Sequence, residues 1–182
     1  MNIGRLCIAS ALALLSAAAL SQEAFQGLMW NSTMAQVKGR FPEARQGPLA
    51  DCNASSARLN CTALYVDQYE IDGIPMRIRF ESLTADWKLY RVVVSWQHDA
   101  STRTSHVDAL KAAFTVCYHV NLLLAKRYGK PDLEQEFPSG MPWGRAVGWK
   151  SSATSIVLTC NSDDGALIDY SPLNVPDEVK KL

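Results

Sequence analysis

Asp72-Gly73-Ile74-Pro75-Met76-Arg77-Ile78-Arg79-Phe80-Glu81 alternates apolar and charged side chains from Met76 onward. A period of two puts Met76, Ile78 and Phe80 on one face of a strand and Arg77, Arg79 and Glu81 on the other, so one face lies on a core and the other meets water. Asp72-Gly73 accepts the positive backbone angles of a tight turn. With the run Leu64 to Ile71 on its far side, it predicts a hairpin. Beyond a connection around Ala85-Asp86, the stretch Leu89 to Gln97 sets Val92, Val94 and Trp96 on one face and reads as a third strand. Together these segments make an antiparallel meander.

Outward from the meander the period changes. Val107, Leu110, Phe114, Cys117, Asn121, Leu124 and Tyr128 recur at steps of three and four, tracing one stripe of a helix from His106 to Tyr128. Gly129 and Pro131 end it. After a Gly/Pro-rich connection come three more strand-like runs, Ala146 to Lys150, Ser155 to Asn161 and Ala166 to Ser171, the last two joined across Asp163-Asp164-Gly165. On the N-terminal side, Thr33 with Gln36 three positions later is a capping-box pattern, and a short helix is expected from Met34 to Arg40, stopped before Pro42. Glu43 to Asn60 has no sustained period and reads as loop. The fold class is α+β: antiparallel β-meanders covered by a short and a long helix, in the order of a degenerate two-unit repeat of one helix plus three strands. Both helices end in an aromatic with a proline close behind.

Residues 1–21 have the parts of an export signal: Arg5 at the front, an apolar run from Leu6 to Leu20, and the small-residue exit Ala19-Leu20-Ser21. Cleavage after Ser21 leaves one α+β domain over 22–173, with halves at 27–98 and 104–171, and a polar tail over 174–182. No later segment reads as continuously apolar enough to span a membrane. The signal contains only one of the 18 Lys and Arg and none of the 18 Asp and Glu, so the exported chain stays close to neutral. Nucleic acid and anionic lipid, which call for basic runs or stripes, are poor partners for such a chain.

Cys7 leaves with the signal, and Cys52, Cys61, Cys117 and Cys160 remain. An even number of cysteines in an oxidising compartment favours two disulfides in one of three pairings, and the spacing lacks the paired C-x-x-C of a zinc site. Cys117 lies on the apolar stripe of the long helix, and Cys160 shares a strand face with Ile156 and Leu158. Both sulfurs therefore point to one interface, and a Cys117–Cys160 bond would clip helix to sheet, leaving Cys52 to close a small loop with Cys61. Chain-entropy values for the two closures are roughly 4 and 2.7 kcal/mol.

Gly27-Leu28-x-Trp30-x-x-Thr33-x-x-Gln36-Val37-x-x-x-Phe41-Pro42, with Leu124-x-x-Arg127-Tyr128-Gly129-x-Pro131 later, resembles a loose group of uncharacterised bacterial periplasmic proteins that open on G-L-x-W-G-x-S-x-x-E-V. Asn31 stands where that group usually has glycine. The build is similar to the helix-on-meander domains of outer-membrane assembly lipoproteins and of β-lactamase inhibitory proteins. The resemblance implies an envelope compartment and this fold, and no activity.

Chemistry-bearing residues are sparse. No G-x-S-x-G elbow, H-x-x-x-H pair or thiolate-promoting setting occurs, so no catalytic residue, metal ligand or cofactor site is expected. His98, His106 and His119 read as surface or capping residues, Asn161 to Gly165 as a hairpin turn, and Trp30 as a staple packing back on the first helical turn with Val37. Two segments read as partner contacts: the loop holding Phe137, Met141, Trp143 and Arg145, and the Cys52 to Cys61 loop with Arg58. The expected function is a periplasmic or secreted, non-enzymatic binding or assembly domain acting on an envelope protein. The alternatives are a periplasmic inhibitor that inserts the Arg58 loop into an envelope hydrolase, and a small hydrolase or lectin-like module.

Overall fold

A computed structural model of the chain describes residues 23–49, 62–82, 84–97, 105–136, 144–162 and 165–174. Its elements run β1 (Glu23–Phe25), β2 (Leu28–Met29), α1 (Met34–Arg40), β3 (Arg45–Pro48), β4 (Thr62–Ile71), β5 (Ile74–Ser82), β6 (Leu89–Trp96), α2 (His106–Tyr128), β7 (Leu133–Glu136), β8 (Gly144–Ser151), β9 (Thr154–Asn161) and β10 (Gly165–Pro172). β1 and β2 form a small N-terminal hairpin. The other strands form one eight-stranded sheet in the order β3-β4-β5-β6-β10-β9-β8-β7, so two four-stranded meanders meet where β6 pairs antiparallel with β10.

The alternation read from Met76 to Glu81 sets the register of the whole sheet. Leu64, Phe80, Val92, Tyr170, Ile156 and Trp149 lie side by side across six strands, and Val66, Ile78, Val94, Ile168, Leu158 and Val147 form the next row. All twelve are buried. A slip of one residue in any strand would turn its apolar set to water, so these rows specify the pairing strongly. The turn between β4 and β5 is Asp72-Gly73, with φ of 51° and 78°, the two positive angles that a tight hairpin requires.

Each helix is followed by four strands, one more than the sequence suggests. The additional strands, β3 within the segment read as loop and β7 within the Gly/Pro-rich connection, are the outer edges of the sheet. Arg45-Gln46-Gly47-Pro48 and Leu133-Glu134-Gln135-Glu136 lack an apolar alternation because they have only one neighbour and largely face water. Short, charged and proline-bearing strands are what blunt an edge against pairing with another chain.

α1 occupies the residues that the capping pattern marks. Thr33 Oγ1 accepts from Gln36 N at 3.3 Å, and Gln36 Oε1 accepts from Thr33 N at 2.8 Å. At the other end, Phe41 places its ring 5.0 Å from Phe80 and 6.3 Å from Phe25, while Phe25 lies 5.0 Å from Tyr170. α1 therefore packs beside the N-terminal hairpin and reaches the sheet through Phe41. Asn31 has φ of 68°, the left-handed region where glycine is at ease and asparagine is among the few residues that follow it.

α2 lies over β8, β9 and β10 and is bonded to the sheet by a Cys117–Cys160 disulfide with the Cα atoms 5.8 Å apart. Its buried seam is Ala109, Ala113, Cys117, Val120 and Leu124. This corrects the expected stripe at two places, since Val107 and Phe114 are 57% and 58% exposed. The seam uses small residues, which let the backbone of the helix approach the sheet, and the larger side chains one step round are left outside. A second correction concerns membrane spanning. By length and composition Val107–Tyr128 is apolar enough to cross a bilayer, although here one face of it is docked on the sheet.

Candidate functional site

Trp30 is part of the fold. It is buried, and its Nε1 donates to Thr154 Oγ1 at 3.0 Å, a contact that joins the N-terminal segment to β9 across more than a hundred residues. The staple expected at the start of α1 is thus a long-range tie. Thr154 passes the link on, its hydroxyl donating to the Glu23 carbonyl at 2.8 Å.

Of the expected contact residues, Phe137, Met141, Trp143 and Arg58 lie outside the described residues, as do Cys52, Cys61 and His98. Arg145 is in β8, where its guanidinium bonds Glu134 Oε2 at 2.9 Å, so its contact is with the neighbouring edge strand. His119 Nε2 lies 2.7 Å from Asp72 Oδ2, joining the middle of α2 to the β4–β5 turn. The side chains are 46% and 62% exposed. An imidazole–carboxylate pair can orient a general base; among the described residues Cys117 is oxidised and no hydroxyl bonds this imidazole. Among the described residues there is also no cluster of three His, Cys, Asp or Glu side chains suited to a metal ion.

The structure brings together a set of residues that the sequence did not single out. A cleft of about 450 Å³ opens beside the C-terminal half of α2, a size usual for a small-molecule site. Its apolar lining includes Phe25, Val120, Leu124, Ile156 and Ile168, and three phenols, Tyr69, Tyr128 and Tyr170, converge there. Arg127 stacks its guanidinium 5.5 Å from the centre of the Tyr128 ring. Gln26 Nε2 donates to the Tyr69 hydroxyl at 2.8 Å. Burial pushes the Tyr170 phenol far above its ordinary range, with Tyr128 adding to the effect. Burial also raises Tyr69, against a smaller opposing pull from the Arg127 charge. Both phenols therefore keep their protons at neutral pH and remain donors.

The rim of the cleft is made at hairpin tips. Gln26, Asp72 and Ser152, with φ of 52°, 51° and 26°, are three of the five non-glycine residues held at left-handed angles among those described, and all three line the cleft. Glycine would relax the backbone at each position, whereas these residues carry polar side chains. No periodicity reveals such a site: its members come from β1, β4, α2, β8, β9 and β10 and from three turns, and only the fold assembles them. Leu124, Arg127 and Tyr128, which stand together in the motif at the end of the long helix, were its visible part.

Comparison with known proteins finds no matching family model, no matching curated protein and no matching solved structure.

Proposed function

We propose that this chain is an exported, non-enzymatic binding domain that meets an envelope protein through the outward side of α2. The observation that carries this reading is the stripe Val107, Phe114, Tyr118 and Leu122, each more than half exposed on a helix that a disulfide holds against the sheet. Isolated apolar residues on a surface are ordinary, but four at helical spacing offer the pattern of anchors that helix-and-groove recognition uses. The covalent clip reduces the ordering lost on docking. Export is supported by the apolar leader over residues 1–21 and by a disulfide, which persists in an oxidising compartment. The strand order supports a related proposal, that the two halves are copies of a single helix-plus-meander unit, since each contributes a helix and four strands arranged symmetrically about the β6–β10 junction. The same build supports kinship with the periplasmic proteins that the Gly27 to Pro42 motif resembles.

Site-specific photo-crosslinking from position 122 in the native envelope tests the reading. We expect one dominant adduct, lost in Val107→Lys and Tyr118→Lys while both variants keep the parent melting midpoint. An adduct that survives both substitutions, or crosslinks to lipid alone, contradicts it. Sequencing of the mature N-terminus should start at Gln22.

A further inference from the structure

We infer that the cleft beside α2 is a binding site for a small amphipathic monocarboxylate, with Arg127 and the Tyr69 hydroxyl holding its head group and the apolar floor holding its body. Size and lining set the body: Phe25, Val120, Leu124, Ile156 and Ile168 offer an apolar surface with no charge among them.

The head group follows from the polar atoms. Arg45, Arg77, Arg79, Arg91 and Arg145 each have a carboxylate partner. Arg127 has none within ion-pair distance among the described residues, although it lines a cleft that Glu23, Glu70 and Asp72 also border. One oxygen of Glu23 accepts from Gly27 N at 2.9 Å, and Asp72 faces His119. The Tyr69 oxygen already accepts from Gln26, so its own proton is left to give. A guanidinium fork and a phenol donor converging on one space call for an anion with two acceptor oxygens. Three carboxylates bordering the same cleft limit the charge it can take. They repel a dianionic phosphate more than a single carboxylate, so of these two anions the monocarboxylate is the one that Arg127 can hold.

This inference is separate from the protein-binding stripe of α2. Its test is calorimetric titration of the mature chain, residues 22–182, with decanoate, decanol, decylamine and decyl phosphate. We expect decanoate to saturate a single site and to bind at least about tenfold tighter than decanol, the difference made by a charge-assisted hydrogen-bonded pair. In Arg127→Gln decanoate should fall to the level of decanol, and in Tyr69→Phe it should weaken several-fold. Circular dichroism and melting midpoints should match the parent in both. Phe114→Lys, on the outer stripe, should leave decanoate binding unchanged. Failure of decanoate to saturate, equal or tighter binding of decanol, decylamine or decyl phosphate, or unaltered decanoate affinity in Arg127→Gln would each overturn the inference. None of these outcomes bears on the α2 stripe.

Discussion

On one side of the β6–β10 junction, three phenyl rings, Phe25, Phe41 and Phe80, pack on the first meander beside a seven-residue helix and meet Tyr170 of β10 at the junction itself; on the other side, a 23-residue helix is held over the second meander by a sulfur bridge. The opposite face of the sheet differs in the same way. Over the first half it carries linked ion pairs, Arg45–Asp67–Arg77 and Arg79–Glu81–Arg91, the latter reaching across the junction to Asp169 of β10, with Glu81 buried between two guanidinium groups. Beyond Asp169, that face of the second half carries Val157, Thr159 and Ala146 beside one another, with no ion pair among them. The comparison teaches that one strand plan can be stabilised by dense ring packing or by a covalent clip. The clipped half can then leave large side chains outside and a cleft at its margin, because its helix does not depend on burying every apolar residue.

The largest effect should fall on the ring-packed half. Phe80→Ala removes a fully buried ring touching Phe25 and Phe41, and should cost about 4 kcal/mol in denaturant unfolding. Replacing the bridge with Cys117→Ala and Cys160→Ala should cost about 3 kcal/mol, the roughly 4 kcal/mol chain-entropy value for a 43-residue separation lowered by residual structure in the unfolded chain. A cost well under 1 kcal/mol for the bridge, with the chain still folded, would break the contrast. At the junction, Gly165→Ala places a methyl group into the Trp96 ring at a residue with φ of 68°, and should lower stability by about 2 kcal/mol. Thr33→Ala removes the cap of the short helix, worth about 1 kcal/mol in the same assay. Least of all, Leu122→Ser on the outer face should change stability by no more than about 0.5 kcal/mol, which sharpens the claim that this stripe is turned outward.

Much of this architecture is legible in the sequence. The Met76 to Glu81 alternation, the Asp72-Gly73 turn, the Thr33/Gln36 cap and the span of α2 are local signals, and each falls where local chemistry places it. The Cys117–Cys160 pairing was also accessible, because stripe and alternation together aim both sulfurs at one interface. The edge strands were not, since a strand with one neighbour needs no apolar face. The orientation of α2 was half legible: helical period gives a stripe, but two adjacent stripes of this helix are apolar, and the choice between them rests on Ala109 and Ala113 fitting close to the sheet. Of the cleft only the α2 members Leu124, Arg127 and Tyr128 stood together in the sequence, because Gln26, Tyr69 and Tyr170 join them only after the sheet forms.

The central claim is that the bridge holds α2, and with it the cleft, on a sheet whose first half stands without it. Hydrogen exchange read by mass spectrometry on the parent and on the Cys117→Ala, Cys160→Ala variant tests this directly. The expected result is loss of protection in α2 and in the adjoining strands β8 to β10, with β4 to β6 unchanged. Equal loss across β4 to β6, or undiminished protection in α2, would contradict it.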